Sequence, residues 1–425
     1  MEAHVLDKCP YAPLTPEALP HRLGGMPELT GRLGSPETWR VKEVGDGNLN
    51  LVFIIEGRLG AAIAKQALPY ARCVGESWPM SLDRAFYEYQ ALIRLGQRDP
   101  GRMPELYAFD QAQALIVMEY LSPHVILRKS LVAGTVLPGL GEHLGRYLAR
   151  TLFRGSDFAM ETSRRKTDLA LFAGNVELCG ISEDLIFTDP FHASPRNRVT
   201  PTLEPDAHAT RVDRDLKVAA AILKRRFATS AETLLHGDFH TGSVMVTETD
   251  SRVIDPEFAF YGPMGFDIGA LLANLIMAAF AQQGHRADAA ARNAYQDWIL
   301  GVAEMVWSTF RAEFAHLWRT ERAGMLGLRD LFEDSGDPGG ADAVLQDVLA
   351  DIWRDTLGFM GIEMHRRVLG LAHILEFETI EDATVRARCE RRALTMGRFL
   401  MLQPDSLRSP HQVSHLARTI EDHLP

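Results

Sequence analysis

The sequence predicts an α+β fold in two lobes: a small β-rich N-terminal lobe over residues 1–121 and a larger, mostly helical C-terminal lobe over 122–425. Three observations predict it. Between Thr38 and Met118 short apolar runs and one helical pattern follow in the order β-β-β-α-β-β. After Ser122-Pro123 the texture changes to helical periodicity. The chain has 425 residues, 46% hydrophobic and 24% charged, which is ordinary for a globular protein with a core and long enough for two or three domains.

The elements read in order as follows. Trp39 to Val44 begins with apolar and polar residues in alternation, a turn follows at Gly45-Asp46-Gly47-Asn48, and Leu51 to Ile55 is an apolar run. Gly57 and Gly60 mark the next turn before Ala61 to Lys65, so three strands follow one another in a meander. Leu82, Phe86, Tyr89 and Ile93 recur at helical spacing, predicting a helix from Leu82 to Leu95 with Ser81 as its N-cap. Leu106 to Phe109 and Leu115 to Met118 are two further strands across an Asp110-Gln-Ala-Gln turn. In the second lobe, helices are predicted over Leu140–Leu152, Asp213–Phe227, Asp267–Gln282, Ala287–Arg319 and Val344–Leu375, interrupted by one β-rich island, Leu234–Ile254. Phe332 to Ala341 reads as a mobile loop.

Composition excludes several classes. The net charge of -11 and the lack of a basic stripe argue against a nucleic-acid binder. Cys9, Cys73, Cys179 and Cys389 are scattered, so neither a zinc cluster nor a disulfide framework follows, and a reducing cytoplasm is the expected location. The N-terminus lacks the apolar stretch of a signal peptide. The greasiest segment, Ile268 to Ala281, is interrupted by Asn274 and is short of the roughly 20 residues of a membrane span, so it reads as a core helix and no membrane is expected.

The β-island holds the densest polar cluster: His236, Asp238, His240 and Ser243, followed by Asp255, Pro256 and Glu257. Charged groups beside buried strands are costly unless they serve a site. Two chemistries compete. His236, Asp238 and His240 at period two would share one face of a strand as a metal comb, completed by Asp255 and Glu257, in a metal-dependent hydrolase. Gly237 and Gly242 weaken that reading, since they suggest a turning loop. Alternatively Asp238 orients a substrate hydroxyl while Asp255 and Glu257 hold Mg²⁺ on a nucleotide polyphosphate. A nucleotide-binding module without turnover is a third possibility.

The first lobe decides for the nucleotide. A phosphotransferase without a P-loop needs a turn over the phosphates, a lysine on the third strand, a helix carboxylate to hold it and a hinge for the base. The chain offers Gly45 to Asn50, then Lys65, then Glu88, then Glu119-Tyr120-Leu121, and contains no Walker-type motif. Taken singly, Lys65 is a solvated strand-end lysine, Glu88 a surface helix residue and the Gly-Asp-Gly-Asn segment a hairpin turn. Their order lifts the reading.

The segments Gly45-DGNLNLVF, Ala67-LPYARCVGESWPM, His236-GDFHTGS, Asp255-PEFAFYGPMGFD and His365-RRVLGLAH together resemble the protein-kinase-like small-molecule kinases, the group of aminoglycoside phosphotransferases and choline kinases, and within it the 5-methylthioribose kinases. The resemblance implies a protein-kinase-like fold, ATP and Mg²⁺ as cofactors, a cleft between the lobes for Mg-ATP, 5-methylthioribose as the small-molecule substrate, and a cytoplasmic homodimer. It implies Asp238 as the catalytic aspartate at the anomeric hydroxyl. Asp255 and Glu257, flanking Pro256, would hold the metal. Lys65, braced by Glu88, would meet the phosphates and Asn48 would lie under them, with Glu119, Tyr120 and Leu121 as the adenine hinge. The segment from Gly75 to Pro79, with Trp78, would be the family's loop near the nucleotide. Arg366 and Arg367 match a twin arginine of the substrate site. About 100° apart on a helix, they are expected to do different jobs. Ser243 stands where aminoglycoside kinases carry a metal-binding Asn, His236 and His240 are expected to position the loop by hydrogen bonds, and Asp267 is expected as an N-cap or loop brace. A kinase of another small alcohol, of aminoglycoside, choline or homoserine type, is the nearest alternative.

Overall fold

The computed structural model of the chain describes residues 11–45, 49–72 and 75–420. The chain separates into two compact units, Met1–Pro123 with Arg252–Ala259, and His124–Ser251 with Phe260–Pro425.

In the first unit, β1 (Arg40–Glu43), β2 (Asn50–Glu56), β3 (Ala61–Ala67), β4 (Leu106–Asp110) and β5 (Leu115–Glu119) form one sheet in the order β1-β2-β3-β5-β4. Every pairing is antiparallel. Phe53 lies opposite Ala64, and Ala64 opposite Val117. Because side chains alternate along a strand, this register sends Phe53, Ile55, Ala62, Ala64, Leu115 and Val117 to one face, where they are buried in a single cluster. Two helices that periodicity did not announce add four leucines to that cluster, which Leu14 and Trp39 complete. They are Ala18–Leu23 and Pro27–Leu33, contributing Leu19, Leu23, Leu29 and Leu33. At 6 and 7 residues each is too short to show a helical repeat. Gln66, on the same face as Ala64, accepts from the Leu14 amide at 2.7 Å and donates to the Ala12 and Gln113 carbonyls at 3.0 and 3.1 Å, tying the N-terminal segment to the sheet.

Lys65 lies opposite Val52 and Ile116, so it points to the other face. It sits within β3 rather than at its end. The helix Arg84–Arg98 starts two residues later than predicted, and its N-cap is Asp83, without a side-chain bond. Ser81 does not cap it: the Ser81 hydroxyl accepts from the Asp83 amide at 3.1 Å, inside the preceding turn. Gly75–Pro79, which carries Trp78, pairs with Tyr70–Ala71 as a short ribbon.

The second unit is helical. Its centre is the helix Gly265–His285, buried throughout from Gly265 to Gln282 and packed against Ala289–Thr320, Pro338–Leu369 and Ala383–Leu402. At 21 residues it is longer than its apolar run suggests, and by length and composition it could cross a membrane. Neighbouring helices bury it instead. A Cβ at Gly269 would fall 2.7 Å from the Thr356 carbonyl oxygen and 2.8 Å from the Met360 nitrogen, so this helix and Pro338–Leu369 touch backbone to backbone.

Three expectations are corrected in this unit. The helix predicted over Val344–Leu375 runs from Pro338 to Leu369, and Leu375–Glu378 is a separate turn. Much of the segment read as a mobile loop is therefore ordered structure. It holds a 3-10 turn, Glu333–Ser335, and the first turn of the long helix, where the Asp337 carboxylate accepts from the Gly340 amide at 2.9 Å. Asp followed by Pro is a helix-start signal that the adjacent glycines concealed. The β-island reduces to short strands, among them Thr233–Leu234 paired with Tyr261–Gly262 and Val244–Val246 paired with Val125–Ile126, and the residues between Leu234 and Val244 form a loop. Ala383–Leu402 was not predicted, since its arginines and Glu390 break the apolar stripe, yet Glu390 and Arg392 are buried.

Candidate active site

The first unit gathers one cation and three carboxylates. Lys65 donates to Glu88 at 2.8 Å and to Asp255, with Glu257 at 3.9 Å. Neither the solvated lysine nor the surface glutamate of the single-residue readings holds: both side chains are buried. Burial works against the Lys65 charge, but Asp255, Glu88 and Glu257 outweigh it and hold the ammonium above its ordinary pKa. Burial pushes Glu88 up to about 8, reinforced by Asp255 and Glu257 and opposed by Lys65. Glu257 also accepts from Asn50 Nδ2 at 2.7 Å, and Asn50 Oδ1 in turn accepts from Arg84 at 3.0 Å. Asp255 takes a left-handed backbone, φ 68°, which aspartate tolerates better than most residues. Its side chain is 50% exposed, unlike Glu257.

The second unit builds its group on the loop after Leu234. The Asp267 carboxylate accepts from the amides of His236 and Gly237 at 2.7 and 3.1 Å, so it braces the loop rather than capping the helix, which already begins at Gly265. The Ser243 hydroxyl donates to the Asp238 carbonyl at 2.9 Å, a second brace. Gly237 has φ 86°, which breaks the straight strand a metal comb requires. Among the described residues no three His, Cys, Asp or Glu are set to hold a metal ion by themselves.

Asp238 is the centre of this group. Its Oδ1 accepts from Arg366 Nη1 and Arg367 Nη2, each at 3.0 Å, and its Oδ2 lies 3.2 Å from His240 Nε2. The two arginines also share Glu363, through Arg366 Nη1 at 3.1 Å and Arg367 Nε at 2.6 Å. Long side chains bring these neighbours on one helix to the same two carboxylates, although their Cα directions diverge. Burial would raise the Asp238 pKa, but His240, Arg366 and Arg367 hold it well below the usual carboxylate range.

His240 Nδ1 accepts from the Gly242 amide at 2.8 Å, so the neutral ring carries its proton on Nε2 and donates to Asp238. Arg128 lies 3.1 Å from the same Nδ1. Burial, opposed by Asp238 and helped by Arg367 and Arg128, lowers His240 to about 4. Burial likewise lowers His365 to about 4, against its bond to the Gly361 carbonyl at 2.9 Å. An unfolded histidine titrates near 6.5. Between about pH 6.5 and 4 the unfolded chain therefore binds more protons at these rings, and they withdraw stability as the pH falls, by up to about 1.4 kcal/mol per pH unit for each. His365→Gln is expected to make the urea midpoint fall less between pH 7 and pH 5. Identical pH slopes for variant and parent would contradict the assignment of a neutral His365.

The sequence-predicted residues thus fall into two sets. Lys65, Glu88, Asp255 and Glu257 converge, with Pro256 between the last two. Asp238, Arg366, Arg367 and His240 converge separately. Glu119 closes β5, where its carboxylate accepts from the Glu105 amide at 3.1 Å, and Tyr120 and Leu121 follow. Asn48 lies outside the described residues, as do Cys9 and Cys73. Sequence reasoning missed Glu363 and Arg128, and placed Asn50 in the phosphate turn without seeing it as a partner of Glu257. Glu363 had a signal, since it stands three and four residues before the two arginines on one helix.

The phosphotransferase enzyme family matches residues 40–302. Methylthioribose kinase 1 of Oryza sativa subsp. japonica is 45% identical over 396 residues, 92% of this chain and 91% of its own length. The methylthioribose kinase of Escherichia coli is 43% identical over 417 residues, 96% of this chain and 98% of its own. That of Geobacillus sp. is 40% identical over 417 residues, covering 96% and 97%. Similarity at this level runs through both units, so the chain belongs to the phosphotransferase enzyme family and, within it, to the methylthioribose kinases.

Proposed function

We propose that the chain transfers the γ-phosphoryl group of ATP to the 1-hydroxyl of 5-methylthioribose, giving 5-methylthioribose 1-phosphate and ADP in methionine salvage. Family membership supports the reaction. The observation that carries the site is the state of Asp238. A carboxylate offers about four acceptor positions. The two arginines occupy Oδ1, and His240 takes one position on Oδ2. One position on Oδ2 is left for a substrate hydroxyl.

Held below the usual carboxylate range, Asp238 is a weak base. It orients the hydroxyl rather than stripping it beforehand. In a loose phosphoryl transfer little proton removal is needed before the phosphorus arrives. The proton leaves the sugar oxygen for Oδ2 as the new P–O bond forms and the bond to ADP breaks. A hemiacetal hydroxyl, more acidic than an ordinary alcohol, suits so weak a base. Arg366 and Arg367, already beside Asp238, compensate the charge of the incoming phosphoryl group.

Nucleotide binding falls to the first unit. Lys65, held by Glu88, contacts the phosphates, and Glu119, Tyr120 and Leu121 receive the adenine. The residues fit Mg²⁺: it prefers one or two carboxylates with water and substrate phosphates over an all-protein cage, and Asp255, half exposed, and Glu257 supply two. When bound, the ion neutralises phosphate charge. Asp255 and Glu257 facing one ammonium leave the charge excess that a divalent cation offsets. A cytoplasmic homodimer completes the proposal on the family resemblance, and sedimentation of the purified chain checks the dimer.

The test is ADP release with Mg-ATP and 5-methylthioribose, run beside ribose, choline, kanamycin and a blank without acceptor. Turnover is expected with methylthioribose. Turnover only with another acceptor would keep a kinase and discard this substrate, and silence with all of them would overturn the reading.

A further inference from the structure

The apolar helix Gly265–His285 carries a fully buried amide, Asn274, that none of the roles above uses. Its Nδ2 donates to the Ala270 carbonyl at 2.9 Å and to Glu363 Oε1 at 3.3 Å. Both neighbours are acceptors, which fixes the NH₂ end towards them. The Oδ1 atom is left buried without a partner among the described residues. A leucine would suit this helix better, so the amide is a cost to the fold.

Glu363, itself 2% exposed, has both oxygens committed. Oε1 accepts from Arg367 Nε as well as from Asn274, and Oε2 accepts from Arg366 Nη1. Burial opposes its charge, but Arg367 and Arg366 prevail and lower its pKa. The same two guanidinium groups reach Asp238 Oδ1. Two adjacent arginines repel each other and have many rotamers. A carboxylate behind them cancels one charge and fixes both forks. The close backbone approach at Gly269 brings the two helices near enough for an amide on one to hold a carboxylate on the other.

We infer that Asn274 and Glu363 form a buried relay of positioning residues that aims Arg366 and Arg367 at Asp238 and so sets the acceptor side of the reaction. The inference rests on the reading of Asp238 as the residue that takes the acceptor hydroxyl. Asn274 holds Glu363, Glu363 holds the two guanidinium groups, and these leave one position open on Asp238. Neither relay residue touches the substrate.

The experiment compares Asn274→Leu, Glu363→Gln and Asp238→Ala in the full chain, with steady-state kinetics in both substrates and a thermal melt. Asn274→Leu is expected to keep or raise Tm, to leave the KM for ATP unchanged, and to lower kcat/KM for methylthioribose about tenfold. Glu363→Gln, which keeps the shape and one acceptor oxygen, is expected to lose about 100-fold on the acceptor side, the scale of a small misplacement of catalytic groups. A simple packing role predicts something else: a lower Tm with both KM values moving together. That outcome, or parental acceptor kinetics in both relay variants while Asp238→Ala is inactive, overturns the relay and leaves the site reading intact. Parental turnover in Asp238→Ala would instead remove the reading on which the relay rests.

Discussion

Asp238→Ala is expected to lower kcat by about 10²- to 10⁴-fold, the range that a positioned proton-transfer group contributes, with little change in the KM for ATP. The asymmetry follows from the partners. Among the described residues the Asp238 carboxylate bonds to residues of the second unit, Arg366, Arg367 and His240, whereas the residues proposed to meet the nucleotide phosphates belong to the first. The substitution also removes one of the two carboxylates that the arginines share, leaving Glu363 alone against two guanidinium groups. Removing one side of this partly buried ion pair leaves two guanidinium groups short of a counter-charge, so Ala should also lower the melting temperature.

Asp238→Asn separates the two effects. Its amide oxygen can still accept from an arginine, but its NH₂ cannot accept a proton. It should recover part of the lost stability and none of the turnover. With its pKa held well below the usual carboxylate range, Asp238 stays ionised down to acid pH in the native protein. Its contribution to stability is present above the ordinary carboxylate pKa of about 3.9 and is lost only as the pH falls through the lower native value. Activity at pH 5 to 6 should therefore not fall through protonation of this group. Asp238→Asn turnover within about tenfold of the parent would show that the proton goes elsewhere.

What was legible in the sequence was local. The run β-β-β-α-β-β was readable because short apolar or alternating segments are set apart by turns at Gly45 to Asn48, Gly57 to Gly60 and Asp110 to Gln113, and the structure returns five paired strands within a few residues of the predicted ends. Lys65 and Glu88 were readable by their order along the chain, yet their burial was not. It arises from a pairing across 23 residues and from a segment, Arg252–Ala259, that joins the first unit from far along the sequence. No periodicity encodes such a return.

The loop around Asp238 shows the same division. Its glycines announced a turn, and the turn is there. Its bracing by Asp267, 29 positions on, and its closure by arginines 128 and 129 positions away are properties of packed helices. The meeting of two arginines on the same carboxylates was not legible for a physical reason: Cα directions diverge, but guanidinium groups at the end of flexible stems can converge. Glu363 was within reach of simple spacing and went unread because a carboxylate on a long helix is by default a solvated one. Asn274 was noticed only as a break in an apolar run.

Lys65→Met is the second large expected effect. Glu88, Asp255 and Glu257 all lean on this one ammonium. Without it kcat/KM for ATP should fall by about 10²- to 10³-fold, the scale of one preorganised electrostatic contact to developing phosphate charge. Stability should fall too, because Glu88 is buried and loses its counter-charge. Its pKa, already pushed up to about 8, would rise further, and a protonated Glu88 lessens the penalty. The sign is testable: a carboxyl raised in the folded state adds stability as the pH falls, so the loss in Lys65→Met should shrink from pH 8 to pH 6. Adding Glu88→Gln removes the uncompensated charge. The double variant is expected to regain most of the stability while its kcat/KM for ATP stays low. Such a split would assign the Lys65–Glu88 pair to nucleotide binding rather than to the fold, since a purely structural pair would recover activity together with its melting temperature.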